Sequence, residues 1–234
     1  MYSYKAIFLD ADDTLLDYPA AERAALMDCV RAFTLQGDEE AVLAAYRAHN
    51  AAMWRAHERG EVDKATLKVE RFRRLADEVG WSSDGLPALM SARYLTTLSR
   101  QSQLLDGALD LVRRLAAVYP LVLVTNGIAS VQRGRLADSP ITPYFSDIVI
   151  SEEAGAAKPD PRIFYSVLAK HGITARDVLL IGDSTSSDMP AAHNAGMDFC
   201  WYNPAGLPVP EGYTPVFIAH TLPEITTWLL ASDA

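Results

Sequence analysis

One break in pattern constrains this chain more than any other feature. A strand-like run, Tyr4 to Leu9, is followed by roughly eighty residues with no convincing strand, and only after residue 100 do strands and helices alternate. Leu121 to Val124 is short and fully apolar, the kind of strand a parallel sheet buries on both faces. Asp147 to Ile150 and Val178 to Ile181 repeat the pattern, and Phe199 to Tyr202 and Val216 to Ile218 are weaker strands. Between them lie helices: one capped by Asp106 and running to about Val118, one over about 128–137, one from Asp160-Pro161 to Gly172, one near 187–195 stopped by Gly196, and a last one capped by Thr221. The simplest architecture is an α/β doubly wound parallel sheet with a helical domain inserted after its first strand.

The inserted stretch reads as about four helices. Val42, Tyr46, His49 and Met53 fall on one helical face, as do Val69, Phe72, Leu75, Ala76 and Val79, and again Leu86, Leu89, Met90, Tyr94 and Leu98. Residues 20–35 form the fourth helix, with Gly37 as its stop.

With 30 acidic against 21 basic residues the net charge is −9, and no basic stripe stands out. Nucleic acid and anionic membranes are therefore not expected as partners, and a site for an anion must reverse the field locally. The longest apolar runs fall far short of the ~20 residues of a membrane helix. No secretory h-region opens the chain. Cys29 and Cys200 read as buried thiols, and a cytoplasmic location is expected.

Ligands of such sheets bind at the carboxyl ends of the strands, so the residues just beyond each apolar run matter most. They are Asp10-Ala11-Asp12-Asp13-Thr14, Thr125-Asn126-Gly127, Lys158-Pro159, and Gly182-Asp183 with Asp188. At least three carboxylates meeting at one edge repel unless a cation joins them. Oxygen donors of this type suit Mg²⁺. Lys158 and the Thr125 hydroxyl are donors for a phosphate, and Gly127 before a helix lets backbone N–H groups approach an anion. An aspartate beside a metal can attack phosphorus. Asp12, two residues from Asp10 and on its face if extended, can act as acid and then base if like charges around it raise its pKa.

In this order, Asp10-x-Asp12-x-Thr14, Thr125, Lys158-Pro159 and Gly182-Asp183-x-x-x-x-Asp188 resemble the four motifs of the haloacid dehalogenase superfamily. The resemblance spans the chain. It implies a Rossmann-like catalytic core of residues 1–16 and 101–234 and a helical cap of residues 17–100. It also implies roles: Asp10 as nucleophile and metal ligand, Asp12 as acid/base offering its backbone carbonyl to the metal, and Thr14 as a structural residue. Thr125 is implied as a phosphate ligand, with Asn126 and Gly127 beside it, and Lys158 as the charge that neutralises nucleophile and phosphate. Asp183 is the implied direct Mg²⁺ ligand, and Asp188 an acid behind it that holds metal waters or Lys158.

A narrower likeness joins Phe8 to Leu15, Thr125-Asn126-Gly127, Ile150 to Gly155 and Lys158-Pro159 to bacterial pyrimidine nucleotidases of this superfamily, which dephosphorylate nucleoside 5′-monophosphates. Asp13 stands where glycine is commonest in the superfamily, and an acid there is shared with those nucleotidases. The expectation is a Mg²⁺-dependent phosphomonoesterase for a small phosphorylated metabolite, a pyrimidine nucleoside 5′-monophosphate first.

Other readings compete. A phosphatase or mutase acting on a sugar phosphate keeps both motif carboxylates and needs a substrate test. A metal-independent 2-haloacid dehalogenase lacks the second one, so Asp12 speaks against it. Receiver domains share the acidic cluster but are about half as long and lack the insert, and a non-catalytic phospho-ligand-binding regulator would lose a motif residue, none of which is missing. Tyr46, His49, Trp54, Arg55 and His57 lie on or near one cap helix, where an aromatic could stack on a base and an arginine could meet a phosphate or carbonyl; packing between cap helices is the favoured reading, and Trp81 and Tyr94 are equally open.

Overall fold

The continuous apolar runs end up in one sheet because each has two hydrophobic faces to bury. The computed structural model describes residues 4–81 and 84–231. Its strands are β1 (Ala6–Leu9), β2 (Leu121–Thr125), β3 (Phe145–Ile150), β4 (Val178–Gly182), β5 (Asp198–Tyr202) and β6 (Phe217–Ala219). They form a six-stranded sheet in the order β3-β2-β1-β4-β5-β6, every neighbouring pair parallel. Chain order reverses at β1, so the switch point of this doubly wound sheet lies beside the strand that carries the first acidic cluster.

Alternate residues divide between two cores. On one face Ile7, Leu9, Leu121, Leu123, Leu179 and Ile181 pack with α5 (Ala108–Ala116) and α10 (Leu222–Leu230). On the other, Phe8, Val122, Val124, Leu180 and Trp201 pack with Ile163, Phe164, and the helices α8 (Tyr165–His171) and α9 (Asp188–Ala195). Burying an aliphatic side chain of this kind contributes about 1.5–3 kcal/mol, which is why these short runs define the fold.

This sheet unit comprises the residues up to Tyr18 and from Ser102 on; Pro19–Gln101 form a second compact unit. The second unit is built of α1 (Tyr18–Ala32), α2 (Glu39–Glu58), α3 (Lys64–Val79) and α4 (Leu86–Leu98). Its interior holds Tyr46, Phe72 and Tyr94, each ring 5.3 Å from the other two. The buried Arg71 guanidinium lies 4.9 Å from the Tyr94 ring and donates to Asn50 Oδ1 at 2.9 Å. Tyr46 and Tyr94 are thus packing residues of this unit.

Several local expectations need correction. Val69 and Leu89 are exposed, not buried, because the inward face of α3 centres on Leu67, Arg71, Phe72 and Leu75, and that of α4 on Leu86, Met90, Tyr94 and Leu98. His49 lies beside the buried face and pairs with Glu78 at 2.7 Å. The first helix stops at Ala32, five residues before Gly37, and the left-handed residue of that turn is Thr34, φ 52°. Gly107, not Asp106, is the N-cap of α5, with φ 85°. Both cysteines are buried free thiols. Among the described residues no helix is long and apolar enough to cross a membrane.

Candidate active site

The motif residues cluster beyond the carboxyl ends of the strands, directly or after a short loop or helix. Asp10 directly follows β1, and its N–H donates to Ile181 O at 2.9 Å, tying it to β4. The chain then turns sharply: the N–H groups of Leu15 and Leu16 both donate to Ala11 O, and Asp13 takes φ 61°. Aspartate is among the few non-glycine residues that visit this region readily. Thr125 ends β2, Asp183 follows β4, Asp188 opens α9, and Lys158 comes from the loop after the one-turn helix α7 (Ser151–Ala154).

Lys158 is the hub. It is 1% exposed, and its Nζ reaches Asp10 Oδ1 at 2.5 Å, Asp188 Oδ1 at 2.7 Å and Val124 O at 2.8 Å. Those are as many partners as an ammonium has hydrogens. Burial works against its charge, yet Asp10 and Asp188 hold its pKa above the ordinary lysine value. Asp188 Oδ2 accepts from the Ser184 N–H at 3.1 Å. A Cβ on Gly182 would fall 2.4 Å from that same oxygen, so glycine is what lets the carboxylate lie against the strand end. Asp183 accepts from Thr14 Oγ1 at 3.2 Å. Single oxygens of Asp10, Asp183 and Asp188 all lie within 4.8 Å of one another.

Asp12 meets a different environment from the one expected. Instead of lying only among like charges, its carboxylate is bound by the guanidinium of Arg135 through Nη1 and by Gln132 Nε2 at 2.8 Å. The same Gln132 amide donates to Thr125 Oγ1 at 2.8 Å, and the Gly127 N–H donates to that hydroxyl at 3.0 Å. Thr125 does not cap α6 (Ala129–Ala137). The first N–H of that helix goes to Glu152 Oε2 at 3.1 Å. Asn126 also does something the sequence did not suggest. Its side chain clamps the backbone of Lys158, donating to the carbonyl at 2.7 Å and accepting from the N–H at 2.9 Å.

Residues 4–196 match the family model of the haloacid dehalogenase-like hydrolases. The chain belongs to that family. Curated relatives agree. HAD-hydrolase YfnB of Bacillus subtilis is 38% identical over 90% of this chain and 89% of its own. Pyrimidine 5′-nucleotidase PynA of Streptococcus pneumoniae is 38% identical over 86% of this chain and 84% of its own. Pyrimidine 5′-nucleotidase YjjG of Escherichia coli is 29% identical over 94% and 95%. A crystal structure of YfnB bound to magnesium superposes with a TM-score of 0.90 at 34% identity, covering 97% of this chain and 99% of that one.

In this haloacid dehalogenase-like hydrolase the cluster carries more negative charge than one lysine balances. Burial first, then Asp188 and Asp12, pushes Asp10 up to about 8 against the pull of Lys158. Burial, then Asp188, Asp10 and Asp13, pushes Asp183 up to about 9. Three carboxylates within 4.8 Å of one another, with Asp10 and Asp183 reluctant to ionise, are a fitting donor set for a hard divalent cation. The sign of the pH dependence follows. Both folded-state values exceed the 3.8 of an ordinary aspartate, so the metal-free folded form keeps protons that the unfolded chain releases. That stabilisation is complete below about pH 4 and is lost as pH rises through about 8 to 9. A cation bound there would replace those protons, and its affinity would grow up to about tenfold per pH unit for each proton displaced. Melting curves with and without Mg²⁺ from about pH 6 to about pH 9 are expected to show a widening gap. A gap independent of pH sinks this account of the cluster.

Sequence reasoning does not reach Gln132 and Arg135, because nothing in their spacing marks the side of the helix that faces Asp12. Both are 1% exposed, and they sit on the same stretch of α6 as the buried Val131 and Leu136. Polar residues on the inward face of a helix need partners, and the partner here is Asp12.

Proposed function

We propose that the chain is a Mg²⁺-dependent phosphomonoesterase acting through an aspartyl-phosphate on a small phosphorylated metabolite, with pyrimidine nucleoside 5′-monophosphates as the leading substrates. The feature that carries the chemistry is the sharing of one buried lysine by Asp10 and Asp188, beside the third carboxylate of Asp183. What supports the substrate class is the similarity to PynA and YjjG over most of the chain.

In this reading Asp10 attacks phosphorus, and the bond from phosphorus to the ester oxygen breaks. Asp12 gives the leaving alkoxide a proton, then takes one from the water that attacks the aspartyl-phosphate, and inorganic phosphate leaves with Asp10 restored. Thr125 Oγ1 and the backbone N–H at Asn126 receive the phosphoryl oxygens, the Gly127 N–H holds the Thr125 hydroxyl in place, and Lys158 supplies positive charge beside them. Lys158 also aims Asp10 and draws it toward the ionised form, against the burial that raises it. Asp10, Asp183 and the Asp12 carbonyl would hold Mg²⁺, with Asp188 tying Lys158 and metal-bound water behind them. Bound magnesium neutralises phosphoryl charge and orients the group for in-line attack. Pro19–Gln101 would act as the cap, and the interdomain movement described for YfnB is the motion expected to close it.

The test is phosphate release from uridine, thymidine and purine 5′-monophosphates and several sugar phosphates, with Mg²⁺ and with chelator. Pyrimidine monophosphates are expected to lead, and chelation is expected to lower turnover by at least about 100-fold. Turnover led by sugar phosphates overturns the nucleotidase assignment; metal-independent turnover overturns the metal assignment.

A further inference from the structure

Asp12 and Thr125 lie on different strand ends, and one side chain touches both. The Gln132 Nε2 is 2.8 Å from Asp12 Oδ2 and 2.8 Å from Thr125 Oγ1, so its amide hydrogens are directed at these two acceptors. Its Oε1 faces Arg135 Nη1 at 3.5 Å. The reverse orientation would set a carbonyl oxygen against a carboxylate and an amide N–H against a guanidinium, so the charges around it fix the amide. Thr125 Oγ1 already accepts from the Gly127 N–H at 3.0 Å. With both lone pairs engaged, the hydroxyl hydrogen is left to donate to something else. The backbone leaves room for this arrangement: a Cβ on Gly127 would lie 2.6 Å from both Cγ and Nε2 of Gln132.

We propose that Gln132 is a positioning residue that orients the acid/base Asp12 and the phosphate ligand Thr125 together, its paired donation turning the Thr125 hydroxyl hydrogen toward the phosphoryl group. The inference rests on the phosphomonoesterase reading. It assigns Gly127 a second purpose, clearance for the Gln132 amide.

The variant Gln132→Met keeps length and apolar packing and removes both donors. Gln132→Glu keeps shape and replaces the donors with acceptors, and it stands in if the methionine variant does not fold. The readout is kcat/KM, which covers steps up to aspartyl-phosphate formation, for uridine 5′-monophosphate and for p-nitrophenyl phosphate. The alkyl leaving group needs a proton in the transition state and the nitrophenolate does not, so loss of Asp12 placement shows only in the first. With Mg²⁺ present, kcat/KM for the nucleotide is expected to fall at least about tenfold more than for the aryl ester. Competitive inhibition by inorganic phosphate is expected to weaken severalfold, because Thr125 loses its orientation. An equal fall on both esters, or no fall, overturns the proposal and leaves Gln132 a packing residue. Wild-type protein inert toward both esters instead overturns the phosphomonoesterase reading itself.

Discussion

Replacing Asp10 by asparagine is expected to lower kcat/KM by about 10⁴-fold or more while leaving the protein folded. The amide matches the carboxylate in size, so the strand-end geometry around Ile181 and Lys158 is kept. What disappears is the proposed nucleophile. No adjacent group substitutes for it: Asp188 is bound by Lys158 and Ser184, and Asp12 by Arg135 and Gln132. The variant also removes one of the like charges that push Asp183 up to about 9. Metal-free Asp10→Asn is therefore expected to melt no lower than wild type above about pH 8, the value to which burial raises Asp10. Acid-quenched wild-type enzyme should retain phosphate on the protein from labelled substrate, and the variant should not. Turnover within tenfold of wild type places the nucleophile elsewhere.

The second large effect belongs to Lys158. Methionine at this position keeps the length of the side chain and deletes its charge. Asp10 and Asp188 then face each other without their shared cation, and Val124 O loses a donor, all in a region where Lys158 is 1% exposed. Removing one partner of a buried ion pair costs about 3–5 kcal/mol. Urea denaturation of the metal-free protein should show that loss, growing with pH as Asp10 ionises, and Mg²⁺ should recover part of it. Activity is expected to fall at least about 10³-fold, because charge stabilisation at the transferring phosphoryl group goes with it. Arginine is not expected to rescue, since its planar fork does not fit the point-charge geometry of three acceptors around one nitrogen. A methionine variant with wild-type stability and turnover contradicts the role of Lys158 as hub.

These two residues were visible in the sequence because their signals are short-range. Asp10 directly follows an apolar strand, and Lys158 precedes a proline in a loop between strands. Strand ends of a parallel sheet converge whatever the details of packing, so residue type and placement sufficed. Gln132 and Arg135 lie inside a helix, and nothing in their spacing says that the inward face of α6 looks onto Asp12. The helical unit Pro19–Gln101 shows the same limit. Helical periodicity located α2, α3 and α4, but which residue of each stripe turns inward depended on neighbours. Arg71 is buried among the Tyr46, Phe72 and Tyr94 rings while Val69, two residues away and on the other side of the helix, is exposed.

The sequence by itself determined the six apolar runs, the helical insertion after the first, and the order of acidic, hydroxyl and lysine residues at the strand ends. All of these follow from hydrophobic burial, which acts on each run independently of its partners. Tertiary structure alone decided the pairings: Lys158 between two aspartates, Asp12 on Arg135, Asn126 on the lysine backbone, and one glutamine amide bridging Thr125 and Asp12. Hydrogen bonds and ion pairs are directional and reach only about 3 Å, so their partners are chosen by the final packing of elements far apart in the chain.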